Sequence, residues 1–147
     1  MRSTPLPQAS LATVLDLLIP AQEGGIPGAG ELGVGAYVES RLGDAQPVVA
    51  AGLAAFEERA RQEGCEDLAS LDASRAAQLL QEVAAEHPGF LESMIFHAYS
   101  GYYQQSPVME SIGLEARPPF PGGYALEAGD LGLLARVRSR PRFYREP

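Results

Sequence analysis

The apolar residues of this chain recur three or four positions apart, in segments separated by proline and glycine. Such spacing places them on one face of an α-helix, whereas a half-buried strand needs strict alternation of apolar and polar residues. The apolar residues are largely Ala, Leu and Val, and no long β-branched or aromatic run with a period of two occurs. The pattern therefore predicts an all-α fold.

Five segments carry this pattern strongly enough to be predicted as helices. Proline lacks the N–H that continues a helix, so Pro20 ends the first segment and Pro88 separates the last two. Gly64 suits the left-handed position that closes the third. The five predicted helices cover residues 11–19, 31–42, 47–63, 70–86 and 89–104.

The predicted N-caps are Ser10 for the first helix, Asp44 for the third and Ser70 or Asp72 for the fourth. We expect residues 1–115 to form a compact bundle of about five helices. Residues 116–147 are expected to form a long irregular segment, rich in proline and glycine, that packs on the bundle or on a partner. Within that segment Asp130 is predicted to cap a brief turn.

All eleven basic residues are Arg, and they are unevenly distributed. Residues 1–135 hold six Arg and eighteen acidic residues, a net charge of −12, whereas residues 136–147 hold five Arg and one Glu, a net of +4. An acidic body repels nucleic acid and anionic membranes, so neither is an expected partner. For the basic tail, docking on an acidic protein surface is favoured over binding of RNA or phosphate.

Compartment and cross-linking are constrained by a few further features. Cys65 is the only cysteine, which excludes an internal disulfide and leaves an intermolecular one open. No apolar run is long enough for a membrane span, and no signal-peptide pattern is present, so a cytoplasmic location is expected.

Motifs that carry chemistry are few. The string Gly28-Ala29-Gly30-Glu31-Leu32-Gly33 matches G-x-G-x-x-G, but the residues before it cannot form the strand that a dinucleotide site requires. His97 shares the polar sector of its predicted helix with serines and lacks a metal-binding spacing. We therefore expect no catalytic, cofactor-binding or metal-binding residue in this chain, and interpret it as a protein that binds but does not catalyse.

The fifth predicted helix has two apolar faces. One broad face holds Phe90, Leu91, Met94, Ile95, Ala98 and Tyr102, and a second stripe holds Phe96, Tyr99 and Tyr103. A surface helix of a small monomer needs only one such face. The second indicates either a central helix or a helix that contacts another protein, and both alternatives stay open at this point.

Two runs of residues together resemble one known family. The first comprises Leu17-Leu18-Ile19-Pro20-Ala21, Glu23, Pro27-Gly28-Ala29, Glu31-Leu32-Gly33-Val34, Tyr37-Val38 and Arg41-Leu42, and the second comprises His87-Pro88-Gly89-Phe90 and Tyr99-Ser100-Gly101-Tyr102-Tyr103. Over roughly residues 10–114 they resemble the gluconate 2-dehydrogenase subunit 3 family, whose members carry a similar "LIPADE…PGA…AGV" run. The positions that we take as the signature loop are Leu18, Ile19, Pro20, Glu23, Gly28, Ala29 and Gly33.

This resemblance implies a non-catalytic small subunit that binds and stabilises a large oxidoreductase of the glucose–methanol–choline type. The large subunit would hold FAD and oxidise sugars, sugar acids or alcohols. In several such systems the small subunit carries a twin-arginine export signal and takes its partner to the periplasm. This sequence shows no such signal, so a periplasmic location is expected only if the chain is exported with a partner. The residues expected to contact the partner are Phe96, Tyr99, Tyr103, Arg136, Arg138, Arg140, Arg142 and Tyr144.

Two other functions remain as alternatives. One is a stand-alone helical protein-binding module, with a homo-oligomer compatible with it, that has no oxidoreductase partner. The other is an enzyme that uses His97 with a nearby acid, which would need an ordered pocket around that side chain.

Overall fold

The computed structural model describes residues 5–23, 25–65, 68–117, 123 and 128–141. These residues contain seven α-helices and no β-strand, so the predicted all-α class is confirmed. Short 3₁₀ turns occur at Gly43–Ala45, Leu68–Ser70 and Leu131–Leu134. The helices are α1 (Gln8–Leu18), α2 (Val34–Arg41), α3 (Gln46–Gln62), α4 (Ala73–Glu86), α5 (Phe90–Tyr102), α6 (Ser106–Ser111) and α7 (Ala135–Arg138).

The chain divides into two compact units, residues 1–116 and residues 117–147. The first unit contains α1 to α6. In the second unit, the described residues form the 3₁₀ turn Leu131–Leu134, which continues directly into α7.

Three predicted helix ends are confirmed. The side chain of Asp72 caps α4 by accepting hydrogen bonds from the N–H groups of Ser74 (3.0 Å) and Arg75 (3.2 Å). Gly64 follows α3 with a φ of +81°, the left-handed conformation that glycine adopts without strain. Asp130 caps the 3₁₀ turn of the second unit by accepting from the N–H of Gly132 at 2.8 Å.

Two predicted caps are wrong. Helix α1 begins at Gln8, after Pro7, and Ser10 is fully buried within it, where its hydroxyl donates to Glu57 at 3.0 Å. A side chain that has a tertiary partner on α3 is not available to cap its own helix. Asp44 lies in a 3₁₀ turn that runs directly into α3, so the helix begins without any side-chain cap.

The second helix also starts later than the sequence predicts. Residues 29–33 form turns, and α2 begins at Val34 rather than Glu31. Gly33 occupies the N-cap position with a φ of +70°, which a helix cannot continue through. The turn is needed to bring α2 back across α1.

Helix α5 lies at the centre of the first unit, where it packs against α1, α2 and α3, while α4 packs mainly on α3. Every buried apolar residue of the described chain lies between Leu6 and Val108. The largest side chains that are almost completely buried are Phe56, Phe90, Leu11, Leu15, Leu53, Leu79 and Met94. Burial of each contributes about 1.5–3 kcal/mol, which makes this contiguous core the main source of stability.

Two glycines allow α5 to approach its neighbours closely. A Cβ atom at Gly52 of α3 would overlap the ring of Phe90 and lie 2.6 Å from its Cδ1. A Cβ atom at Gly101 would lie 2.7 Å from Cδ1 of Tyr37 and 2.9 Å from Cγ1 of Val34. The absence of a side chain at these two positions therefore sets the spacing of α5 from α3 and from α2.

Ion pairs join α3 to α4 at the surface. Arg59 of α3 pairs with Glu82 (3.1 Å) and Glu86 (2.6 Å) of α4, and Arg75 of α4 pairs with Glu63 at the end of α3 and with Glu82 on its own helix. The hydrogen bond from Arg75 holds the pKa of Glu63 below its usual value, and the same bond raises the pKa of Arg75. Because these pairs are largely exposed, they add little to the stability of two helices that apolar packing already holds together.

The contact between Gly52 and Phe90 can be tested by the sign of the change in unfolding free energy when Gly52 is replaced by Ala. Gly→Ala inside a helix ordinarily stabilises by roughly 0.5–1 kcal/mol. Gly52→Ala should instead destabilise by about 1–3 kcal/mol, because the new methyl group displaces the Phe90 ring. Urea unfolding followed by circular dichroism measures the difference.

Gly35→Ala in α2 is the matched control, because its Cβ would meet the movable end of Leu11 at 3.2 Å. This substitution should change stability by less than about 1 kcal/mol. A Gly52→Ala protein as stable as the wild type would contradict the close packing of α5 on α3.

Candidate partner-binding surface

One face of α5 is exposed and apolar. Ile95 (41% exposed), Phe96 (67%), Tyr99 (44%) and Tyr103 (50%) follow one another at helical spacing. The four residues are called the α5 stripe below. Ile95 was predicted on the buried face, and this is wrong, because α1, α2 and α3 cover only the arc that contains Phe90, Met94, Ala98, Gly101 and Tyr102.

The two tyrosine rings of the stripe pack on one another. Tyr99 and Tyr103 stack with their ring centroids 6.1 Å apart, and Tyr103 meets the buried Tyr102 edge-on at 5.5 Å. Glu92, three and four positions before Ile95 and Phe96, is an exposed carboxylate at the N-terminal end of the same face. The stripe is therefore a preorganised aromatic surface with an acidic end, of the kind that supplies binding energy in protein interfaces.

The signature loop, residues 19–33, closes on the helices through backbone hydrogen bonds. The N–H of Ala29 donates to the carbonyl of Ile19 at 3.0 Å, and the N–H of Gln22 donates to the carbonyl of Ile26 at 3.0 Å. The hydroxyl of Tyr102 donates to the carbonyl of Pro27 at 3.2 Å, which ties the loop to α5. Burial, followed by the nearby Tyr103, raises the pKa of the Tyr102 hydroxyl above its usual value.

Two glycines of the loop pack against the Asp16 side chain. The N–H of Gly30 donates to Oδ1 of Asp16 at 2.8 Å. A Cβ at Gly30 would lie 2.5 Å from Oδ2 of Asp16 and 2.6 Å from the backbone oxygen of Ala12, and a Cβ at Gly28 would overlap the same carboxylate. Glycine is therefore required at both positions because the loop backbone lies in close contact with α1.

The G-x-G-x-x-G string consequently has a structural role. In a dinucleotide site the glycine N–H groups face a phosphate at a helix N-terminus. Here one of them is bonded to a carboxylate, and the third glycine, Gly33, supplies the turn before α2. The preceding residues form an isolated bridge between Gln22 and Ile26 and not a strand.

Other candidate reactive residues are not brought together. His97 is half-buried with its ring edge-on to Phe96 at 5.1 Å, and it forms no hydrogen bond or ion pair with the described residues. Cys65 is half-buried, with its sulfur 3.4 Å from the hydroxyl of Ser70. Across the described ranges, no group of three His, Cys, Asp or Glu side chains could hold a metal ion.

A surface cavity of about 230 Å³ lies between α3 and α4 and is lined by Arg59, Gln62, Glu63, Leu79 and Glu82, so it belongs to the ion-pair network. Another, of about 190 Å³, is lined by Gln8, Leu11, Ala12, Leu15, Gly30, Gly33, Gly35 and Ala36. Apart from Gln8, the described residues that line this second cavity are apolar residues and glycines, with no nucleophile and no acid among them.

In the second unit, Arg136, Arg138 and Arg140 lie on and after α7 and are exposed. The exposed leucines Leu131 (66%), Leu133 (77%) and Leu134 (42%) precede these arginines, and the exposed Val137 (58%) lies between the first two of them. We call residues 130–140 the C-terminal arm. The predicted contact residues Arg142 and Tyr144 lie outside the described residues. No described helix is long and apolar enough to cross a membrane.

The sequence profile of gluconate 2-dehydrogenase subunit 3 matches residues 7–122, which is most of the chain. This chain belongs to the gluconate 2-dehydrogenase subunit 3 family. The match extends the resemblance seen in the sequence at both ends, and it reaches past Arg117. No curated protein and no solved structure matches the chain significantly.

The signature positions of this chain differ in how far they are buried. Ile19, Gly28 and Ala29 are buried and hold the loop against α1, whereas Leu18 is half-buried. The exposed positions are Pro20, Glu23 and Gly33. Sequence reasoning did not identify Asp16 and Tyr102 as the residues that hold the loop, because their partners are backbone atoms 14 and 75 positions away.

Gly30→Ala tests the structural role of the loop. The new methyl group would meet the backbone oxygen of Ala12, which cannot move aside easily, so we expect a loss of about 1–3 kcal/mol of stability. Chemical denaturation is the measurement, and the exposed neighbour Glu31→Ala is the control, expected within about 0.5 kcal/mol of wild type. Equal stability of the two variants would show that the glycine is not packed against α1.

Tyr102→Phe tests the hydrogen bond that links the loop to α5. The contribution of this hydrogen bond to stability in the wild type should depend on pH. At neutral pH the lost hydrogen bond should cost about 1 kcal/mol. Because the folded-state pKa of Tyr102 is raised, its contribution is complete below the ordinary tyrosine pKa of about 10 and is lost as the pH rises through the folded value. The stability difference between wild type and variant should therefore shrink above pH ~10.

Urea unfolding at neutral and at alkaline pH gives both numbers. Tyr99→Phe is the control, since this exposed hydroxyl has no described hydrogen-bond partner and its removal should change neither value. A difference between wild type and Tyr102→Phe that is independent of pH would contradict the buried, hydrogen-bonded hydroxyl.

Proposed function

We propose that this protein is a non-catalytic accessory subunit that binds and stabilises a large FAD-dependent oxidoreductase of the glucose–methanol–choline type. Family membership supports the general part of this proposal, which is that the chain is an accessory subunit of a dehydrogenase complex. The observation that carries the proposal is the α5 stripe, four large apolar side chains left exposed on a well-packed helix. Aromatic residues on a rigid element are the usual anchors of a protein interface.

The stripe fits a stable partner better than a transient one. Its helix is held on three sides by α1, α2 and α3, so the rings are already positioned before binding. Preorganised side chains lose little conformational freedom when they become buried, and more of the apolar contact then appears as affinity. A partner that binds only the folded chain also stabilises it by mass action.

The C-terminal arm provides a second contact in this proposal. Its arginines are exposed in the described structure, and an acidic surface on the large subunit would complement Arg136, Arg138 and Arg140. The same assignment extends by sequence to Arg142 and Tyr144. Charged contacts of this kind raise the rate of association and set its salt dependence more than they set the final affinity.

FAD, sugar or alcohol oxidation and all redox steps are assigned to the partner subunit in this proposal. The chain itself would cover apolar surface on the catalytic subunit and keep it folded. A cytoplasmic location stays a prediction from the sequence.

Replacing both Tyr99 and Tyr103 by Ala should weaken the complex strongly and the isolated fold only slightly. Each ring is about half exposed in the free chain, so truncation removes more contact from the interface than from the core. We expect at least a tenfold loss of affinity, with a change in unfolding free energy below about 1 kcal/mol. Calorimetry of binding and urea unfolding give the two values.

The matched control replaces Ser74 and Gln81, two exposed residues on α4, by Ala. It should leave both binding and stability unchanged. If the tyrosine variant lost stability in proportion to binding, these residues would belong to the core and not to the interface.

Isolation of the tagged chain from its native host tests the proposal as a whole. Near-stoichiometric recovery of a large protein with flavin absorption bands is the expected result, and assay of that complex against sugars, sugar acids and alcohols then gives the substrate. Recovery of a colourless chain with no second protein would overturn the proposal in favour of a stand-alone binding module.

A further inference from the structure

We draw no further inference here: the strongest candidate, the exposed apolar α5 stripe of the first unit, already belongs to the surface used in the proposed function, and nothing in the described residues shows what covers it.

Discussion

The close approach of α5 to α3 and α2 is the constraint on which the rest of the structure depends. It requires a hydrogen atom in place of a side chain at Gly52 and Gly101, since the rings of Phe90 and Tyr37 occupy the space that a Cβ would fill. Once α5 is at this distance, its inner arc is buried, its tyrosine hydroxyl reaches the signature loop, and its outer arc is left exposed. The core, the signature loop and the exposed face of α5 therefore all depend on the position of this one helix.

Local chemistry in the sequence predicted much of this fold. The period of the apolar residues located five helices, and Asp72, Gly64 and Asp130 marked ends that depend on neighbours within a few positions. The wrong predictions involve side chains whose partners are distant in the sequence. Ser10 resembles a cap by sequence but is bonded to Glu57, 47 positions away, and no local pattern encodes that bond.

The exposed face of α5 was predicted only in part, for a related reason. Helical periodicity showed that α5 has two apolar faces, but it could not show how wide an arc its neighbours cover. The two alternatives for this helix proved compatible, because α5 is central and also exposes its second face. Ile95 lies at the border between the arcs, so its assignment required the positions of α1 to α3. The arm was identified by charge alone, and its exposed leucines became apparent only with the 3₁₀ turn and α7 in place.

Core and arm occupy separate stretches of the chain, because every described buried apolar residue lies between Leu6 and Val108 and the arm begins more than twenty positions after Val108. Substitutions in the described residues of the arm consequently remove no buried apolar side chain from the core. We expect them to carry less of the folding penalty that accompanies changes in α1 to α5. Related chains can thus retain one scaffold while they diverge in what they bind, and comparison of their C-terminal segments is the place where differences in specificity should be sought.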